Sequence, residues 1–147
     1  MQSFIELVKD HALILKAANK LLTLVEAPDH VPHAAFDTLR RLSCQLDAHL
    51  HAENDFLRMD ADDGHREFQT LATAHGARFD DLVSEWGVFL RAWTEKNIAE
   101  DWSTFRHEAQ RMMARLIAQV DEENETLYPA ALKSGLIRFM PAIKSAA

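Results

Sequence analysis

Three observations predict an all-α fold for this chain. It is rich in Ala, Leu, Glu, Lys and Arg but has only four Gly and four Pro, and no run of alternating β-branched residues reads as a strand. Four segments carry apolar residues at alternating steps of three and four, the period of a helix that buries one face. The breaks between them are short, which predicts an up-down-up-down antiparallel four-helix bundle with a short C-terminal tail. With 147 residues, the chain fits a single domain over 1–147. A domain of this size buries roughly 70% of its unfolded surface around one core.

Composition excludes several function classes. A formal net charge of −7 with dispersed Lys and Arg lacks the basic stripe of a nucleic-acid-binding surface. The single Cys44 cannot form an internal disulfide, and the first residues lack both a basic leader and an uninterrupted apolar segment. The expectation is a cytoplasmic protein with no nucleic-acid partner and no membrane span.

Helix A, over residues 3–26, places Val8, His11, Leu15, Ala18, Leu22 and Val25 on its core stripe. Ala27 to Pro32 breaks the pattern, with Asp29 a candidate cap and Pro32 tolerated in a first turn. Helix B, over residues 32–59, buries Leu39, Leu42, Leu46, His49, Glu53 and Phe56. His51, two residues from His49, points away from that stripe and reads as a surface histidine. Asp60-Ala61-Asp62-Asp63-Gly64 supplies turn and capping chemistry.

Helix C, over residues 63–96, lines up Phe68, Leu71, His75, Phe79, Leu82, Trp86, Phe89 and Trp93. Near Lys96 and Asn97 the pattern stops, and Asn97 or Asp101 is placed to cap the next helix. Helix D, over residues 101–127, turns Phe105, Met112, Leu116, Gln119, Glu123 and Leu127 inward. Pro129 ends or kinks it, and residues 130–147 form an amphipathic tail that uses Leu136, Ile137, Phe139 and Met140 to cap the bundle. Trp86, Phe89, Trp93 and Phe105 read as core, and Cys44 as a small buried residue beside the stripe.

Polar residues on these stripes carry the functional signal. His49-x-x-x-Glu53 puts an imidazole and a carboxylate on one helix face, and Gln119-x-x-x-Glu123 aligns with it without gaps, matching Asn54 to Asn124 and Leu57 to Leu127. Counted from the turns, His11, His49, Glu53, His75, Gln119 and Glu123 fall within one or two helical turns of a common level, at about 1.5 Å per residue. Singly, a histidine on an apolar stripe reads as a hydrogen-bonded core residue. Jointly, two inward carboxylates repel each other at a desolvation cost of several kcal/mol per ion unless a cation joins them. No Lys or Arg shares the stripe, although Arg78 comes near it. A metal ion, or two, supplies the missing charge. His30, His33, His65 and His107 do not fit the stripe at this level and read as surface or loop residues.

With Asp10-His11, His49-x-x-x-Glu53, His75 and the x-x-x-Glu123 half-motif before Leu127-Tyr128-Pro129, the sequence resembles the hemerythrin-like, or HHE cation-binding, domains over nearly its whole length. The resemblance implies a non-haem di-iron centre. Glu53 and Glu123 would bridge, His11 and His49 would hold one iron, and His75 with the helix D position the other. Ferritin-like sites instead use Glu-x-x-His, an order absent here. This sequence departs from the family pattern at Gln119, where histidine is expected, and Leu71 offers no extra ligand near His75. An amide oxygen is a weaker ligand for a transition ion than imidazole. Three outcomes stay open: an asymmetric di-metal site, a single ion, or a metal-free bundle in which Gln119 plugs the space between the carboxylates.

The resemblance further implies a protein that binds or senses dioxygen, nitric oxide or peroxide, or holds iron. Manganese and zinc also accept this ligand set. Chemistry would occur at an open coordination position, since no side chain presents itself as a protein nucleophile or marks a turnover enzyme. The rival reading is a metal-free helical interaction module that contacts a protein partner through its tail or an acidic face.

Overall fold

Ser3 opens the first helix, its hydroxyl accepting the Glu6 backbone N–H at 3.1 Å and so satisfying a donor that the first turn leaves free. From there the computed structural model, which describes residues 1–57 and 66–142, is all-helical. The long helices are α1 (Phe4–Glu26), α2 (Pro32–Leu57), α3 (Arg66–Ala92) and α5 (Trp102–Glu122), with a short α4 (Glu95–Glu100) between the last two. After α5 a π-helical turn, Glu123–Leu127, leads directly into α6 (Tyr128–Lys133). None of the described helices is long and apolar enough to cross a membrane.

The predicted elements hold with local corrections. Pro32 is the first residue of α2, where its missing N–H costs nothing. The turn expected at Asp60 to Gly64 lies outside the described residues. Helix C does not run on to Lys96. It stops at Ala92, and Thr94 caps the separate α4 by accepting the Asn97 N–H at 3.2 Å. Asp101 then caps α5 by accepting the Thr104 N–H, while Asn97 sits within α4. Helix D does not end at Leu127, because the π turn carries the chain past Pro129 into α6.

Along α1 the buried face is Leu7, His11, Ile14, Ala18, Leu21 and Val25. Val8, Leu15 and Leu22 pack only partly buried beside it, so the predicted stripe is turned by one residue at every second step. Both patterns obey the same alternation of three and four, and α1 has apolar residues at both sets of positions. The α2 stripe is buried as predicted from Leu39 to Phe56, as is the α5 stripe from Phe105 to Leu127 in the π turn. On α3, Phe68, His75, Phe79, Trp86 and Phe89 are buried and Leu71 and Leu82 are partly so. Cys44 corrects the expectation for it, being exposed on α2.

Two apolar clusters make up the core. The larger holds Ile14, Leu39, Leu42, Trp86, Phe89 and Phe105 with their neighbours. The smaller gathers Leu7, Phe56, Phe68, Leu127, Tyr128, Leu136 and Ile137 at the other end. Gly135, at φ +74°, turns the chain after α6 so that Leu136 and Ile137 can enter this second cluster. Beyond it Arg138 pairs with the N-terminal segment: its carbonyl accepts the Phe4 N–H at 2.7 Å, and its N–H donates to the Gln2 carbonyl at 3.0 Å. Of the four tail residues expected to cap the bundle, only Leu136 and Ile137 are buried: Phe139 stacks on Phe4 but stays exposed, as does Met140. Between the clusters lies a polar layer that every long helix contributes to.

Candidate metal centre

That layer follows from the stripes. His11 stands between Leu7 and Ile14 on α1, His49 and Glu53 between Leu46 and Phe56 on α2, and His75 between Phe68 and Phe79 on α3. Gln119 lies in the last turn of α5 and Glu123 begins the π turn. All six predicted residues are buried, with Glu53 at 0% and His11 at 1% exposure. One continuous set of contacts joins them. His11 Nε2 lies 2.9 Å from Glu123 Oε1, His49 Nε2 lies 2.7 Å from Glu53 Oε1, and His75 Nε2 lies 3.2 Å from Glu123 Oε2.

The two halves of the layer differ. On the α1/α2 side, ligand atoms of His11, His49, Glu53 and Glu123 all lie within 4.8 Å of one another. Each imidazole there turns Nε2 inward and Nδ1 outward: His11 Nδ1 meets Asn124 Oδ1 at 2.6 Å, and Asp10 Oδ2 stands 3.5 Å from His49 Nδ1 without the alignment of a hydrogen bond. At His11 the oxygen behind Nδ1 fixes the ring and leaves Nε2 for a metal, the usual supporting arrangement for histidine ligands, whereas His49 Nδ1 is buried without a hydrogen bond. On the α3/α5 side, the Gln119 amide donates to His75 Nδ1 at 3.0 Å, and Nε2 of the same ring faces Glu123 Oε2. That half is closed by its own hydrogen bonds.

Electrostatics sharpen the contrast. Burial would lower the pKa of His49, but hydrogen bonds and charge from Glu123 and Glu53 outweigh it and raise the pKa to about 10. His11 is pushed up for the same reasons, burial opposing and the two carboxylates prevailing. Burial likewise would raise Glu123, yet its contacts with Glu53 and the three imidazoles hold it well below the usual carboxylate range. The carboxylate pair therefore demands positive charge, and protons on the imidazoles meet that demand when no other cation does. Arg78, which came near the stripe in sequence, pairs with Glu122 on the surface and takes no part.

The donor set fits a metal ion. Glu53 Oε2 is buried with no hydrogen-bond partner, an expensive state for a carboxylate oxygen unless a cation takes it up. Two imidazoles and two carboxylates are also the hard-to-intermediate donors that iron, manganese and zinc accept. The family of the hemerythrin HHE cation-binding domain matches residues 4–131. The chain belongs to that family. No curated protein and no solved structure matches it. Members of the hemerythrin HHE family bind cations, and the buried His/Glu group here could hold one; Asn124 and Tyr128 add contacts to it that periodicity did not mark.

Tyr128 is the larger omission. Its hydroxyl donates to Glu53 Oε1 at 2.5 Å and lies 2.9 Å from Nε2 of both His11 and His49. In a regular α-helix a residue five positions after Glu123 points elsewhere, so no i, i+4 search could find it. The available signal was Pro129, whose ring cannot be accommodated in an unbroken helix. The other histidines stay outside: His33 pairs with Glu95 on the surface, His30 stacks on Trp102, His51 and His107 are exposed, and His65 lies outside the described residues.

Beside the polar layer is a cavity of about 30 Å³, bounded by His11, His49, Glu53, Gln119 and Glu123 on one side. Its other walls are apolar, including Ile14, Leu46, Phe79, Trp86 and Leu116, and run out to the partly exposed Leu50, Leu82 and Val83. A water molecule needs roughly 10–15 Å³ by this measure, so the space admits water or a diatomic molecule and no organic substrate.

Proposed function

We propose that this chain holds iron in a non-haem site and uses it to bind or sense dioxygen, nitric oxide or peroxide, or to store the ion itself. The observation that carries this reading is the buried group of His11, His49, Glu53 and Glu123, with Glu53 Oε2 left unpartnered. His11 and His49 would bind through Nε2, with Asn124 steadying the His11 ring. Glu53 and Glu123 would supply the negative charge. His75 and Gln119 would form a weak second position, since each is already engaged with the other. A bound iron would offer an open coordination position at which a small ligand is polarised or reduced.

The remaining residues select what reaches that position. Apolar walls admit small neutral molecules and exclude bulk water, and the cavity is too small for a larger peroxide or a metabolite. The reading takes the four long helices as an up-down-up-down bundle, supported by packing of α1 against both α2 and α5 and of α3 against α5. Metal analysis after anaerobic loading with ferrous iron is the test. One tightly held iron per chain is the expected result, with a second ion lost on gel filtration. Protein that retains only a trace of iron, manganese or zinc would instead be the metal-free interaction module.

A further inference from the structure

Tyr128 is fully buried, its ring stacked on His11 at 5.0 Å and edge-on to Phe56 at 6.0 Å. A buried tyrosine hydroxyl is satisfied by one acceptor, and Glu53 Oε1 provides it. The Tyr128 hydroxyl oxygen also touches Nε2 of His11, Nε2 of His49 and, at 3.3 Å, Glu123 Oε1. It therefore contacts one ligand atom of every residue in the metal-capable group. A hydroxyl that merely braced Glu53 from behind would meet one of the four.

The backbone is shaped to deliver it. Tyr128 N–H bonds to the Glu123 carbonyl, five residues back, and this π-type bond widens the turn so that both side chains face the polar layer. Such turns occur mainly as single insertions at functional sites. We propose that Tyr128 is itself a metal ligand, its phenolic oxygen coordinating the ion held by His11, His49, Glu53 and Glu123. This rests on the metal-binding reading above. On coordination a bond forms between Tyr128 Oη and the ion, the O–H bond breaks, and the proton leaves to solvent. Two carboxylates and one phenolate then carry three negative charges, matching a ferric ion in a buried site and disfavouring a divalent one such as zinc.

The chain contains a single tyrosine, so any tyrosinate signal belongs to Tyr128 without further assignment. The ferric-loaded protein should show a visible phenolate-to-iron charge-transfer band and resonance-enhanced tyrosinate ring modes that shift when ring-deuterated tyrosine is incorporated. Tyr128→Phe, which keeps the packed ring, should lose both signals and weaken iron binding by at least about tenfold. Iron bound at full content without tyrosinate modes would overturn the assignment and leave the metal-binding reading standing. A Tyr128→Phe variant with an unchanged spectrum would overturn it equally. Failure of the wild-type protein to take up iron would remove both, and because the wild-type spectrum decides the matter, misfolding of the variant would not.

Discussion

At the scale of single residues, the candidate site is defined by which polar atoms are satisfied and which are not. Gln119 and His75 answer each other, whereas Glu53 Oε2 has no partner. Gln119→His should therefore open the α3/α5 half and raise retained iron from one ion toward two per chain, measured as iron content after gel filtration. An unchanged iron content would mean that position 119 does not limit the second half. Glu53→Gln should cut iron affinity by at least about tenfold, since it removes one of the two buried charges, and competition with a coloured chelator would measure it. Of the site itself, His11, His49, Glu53, His75, Gln119 and Glu123 were legible because helical period and charge cost both mark them. Asn124 and Tyr128 were not, since their roles depend on which way Glu123 and the turn after it face.

At the scale of elements, the sequence identified the long helices and missed how two of them end. Periodicity reports a buried face but not a junction such as Ala92 to Glu95, where apolar residues continue across a change of direction: Trp93 and Ile98 are both buried there. The one-residue turn of the α1 stripe has the same origin, for apolar side chains flank both candidate faces and only packing against α2 and α5 chooses between them. The ends can be probed by stability. Asp101→Ala should cost about 1 kcal/mol through loss of the α5 cap. Gly135→Ala should cost about 1 kcal/mol purely through its positive φ, since no atom lies within 4 Å of where the new Cβ would stand. Urea denaturation of each variant checks both, and a neutral Gly135→Ala would show that the α6 turn relaxes freely.

At the scale of the whole molecule, the polar layer couples folding to protons and to metal. In the metal-free protein His49 rises from 6.5 to about 10, so its stabilising contribution is complete below pH 6.5 and is lost as the pH climbs through 10. Glu123 falls below 4.5, so its contribution is present above pH 4.5 and is lost as the pH drops through its lowered value. Stability without metal should thus be greatest between pH 4.5 and 6.5 and decline on the alkaline side, as followed by urea midpoints across pH with a chelator present. On the proposed reading iron replaces the imidazole protons, so the gap between loaded and metal-free midpoints should widen as the pH is raised through neutrality. A gap that narrows would argue against competition between proton and ion.

The pairing of Arg138 with Gln2 and Phe4 ties the two ends of the described chain together beside the site, and His11 meets Glu123 and Tyr128 across sequence separations of 112 and 117 residues. During synthesis, α1 and α2 therefore emerge from the ribosome carrying His11, His49 and Glu53 long before their partners exist. A nascent chain of that length offers an incomplete cage, without the Glu123 and Tyr128 that close it in the folded chain. On the proposed reading, loading with the ion follows completion of α5 and the π turn, and is open to control by the supply of the ion rather than by translation.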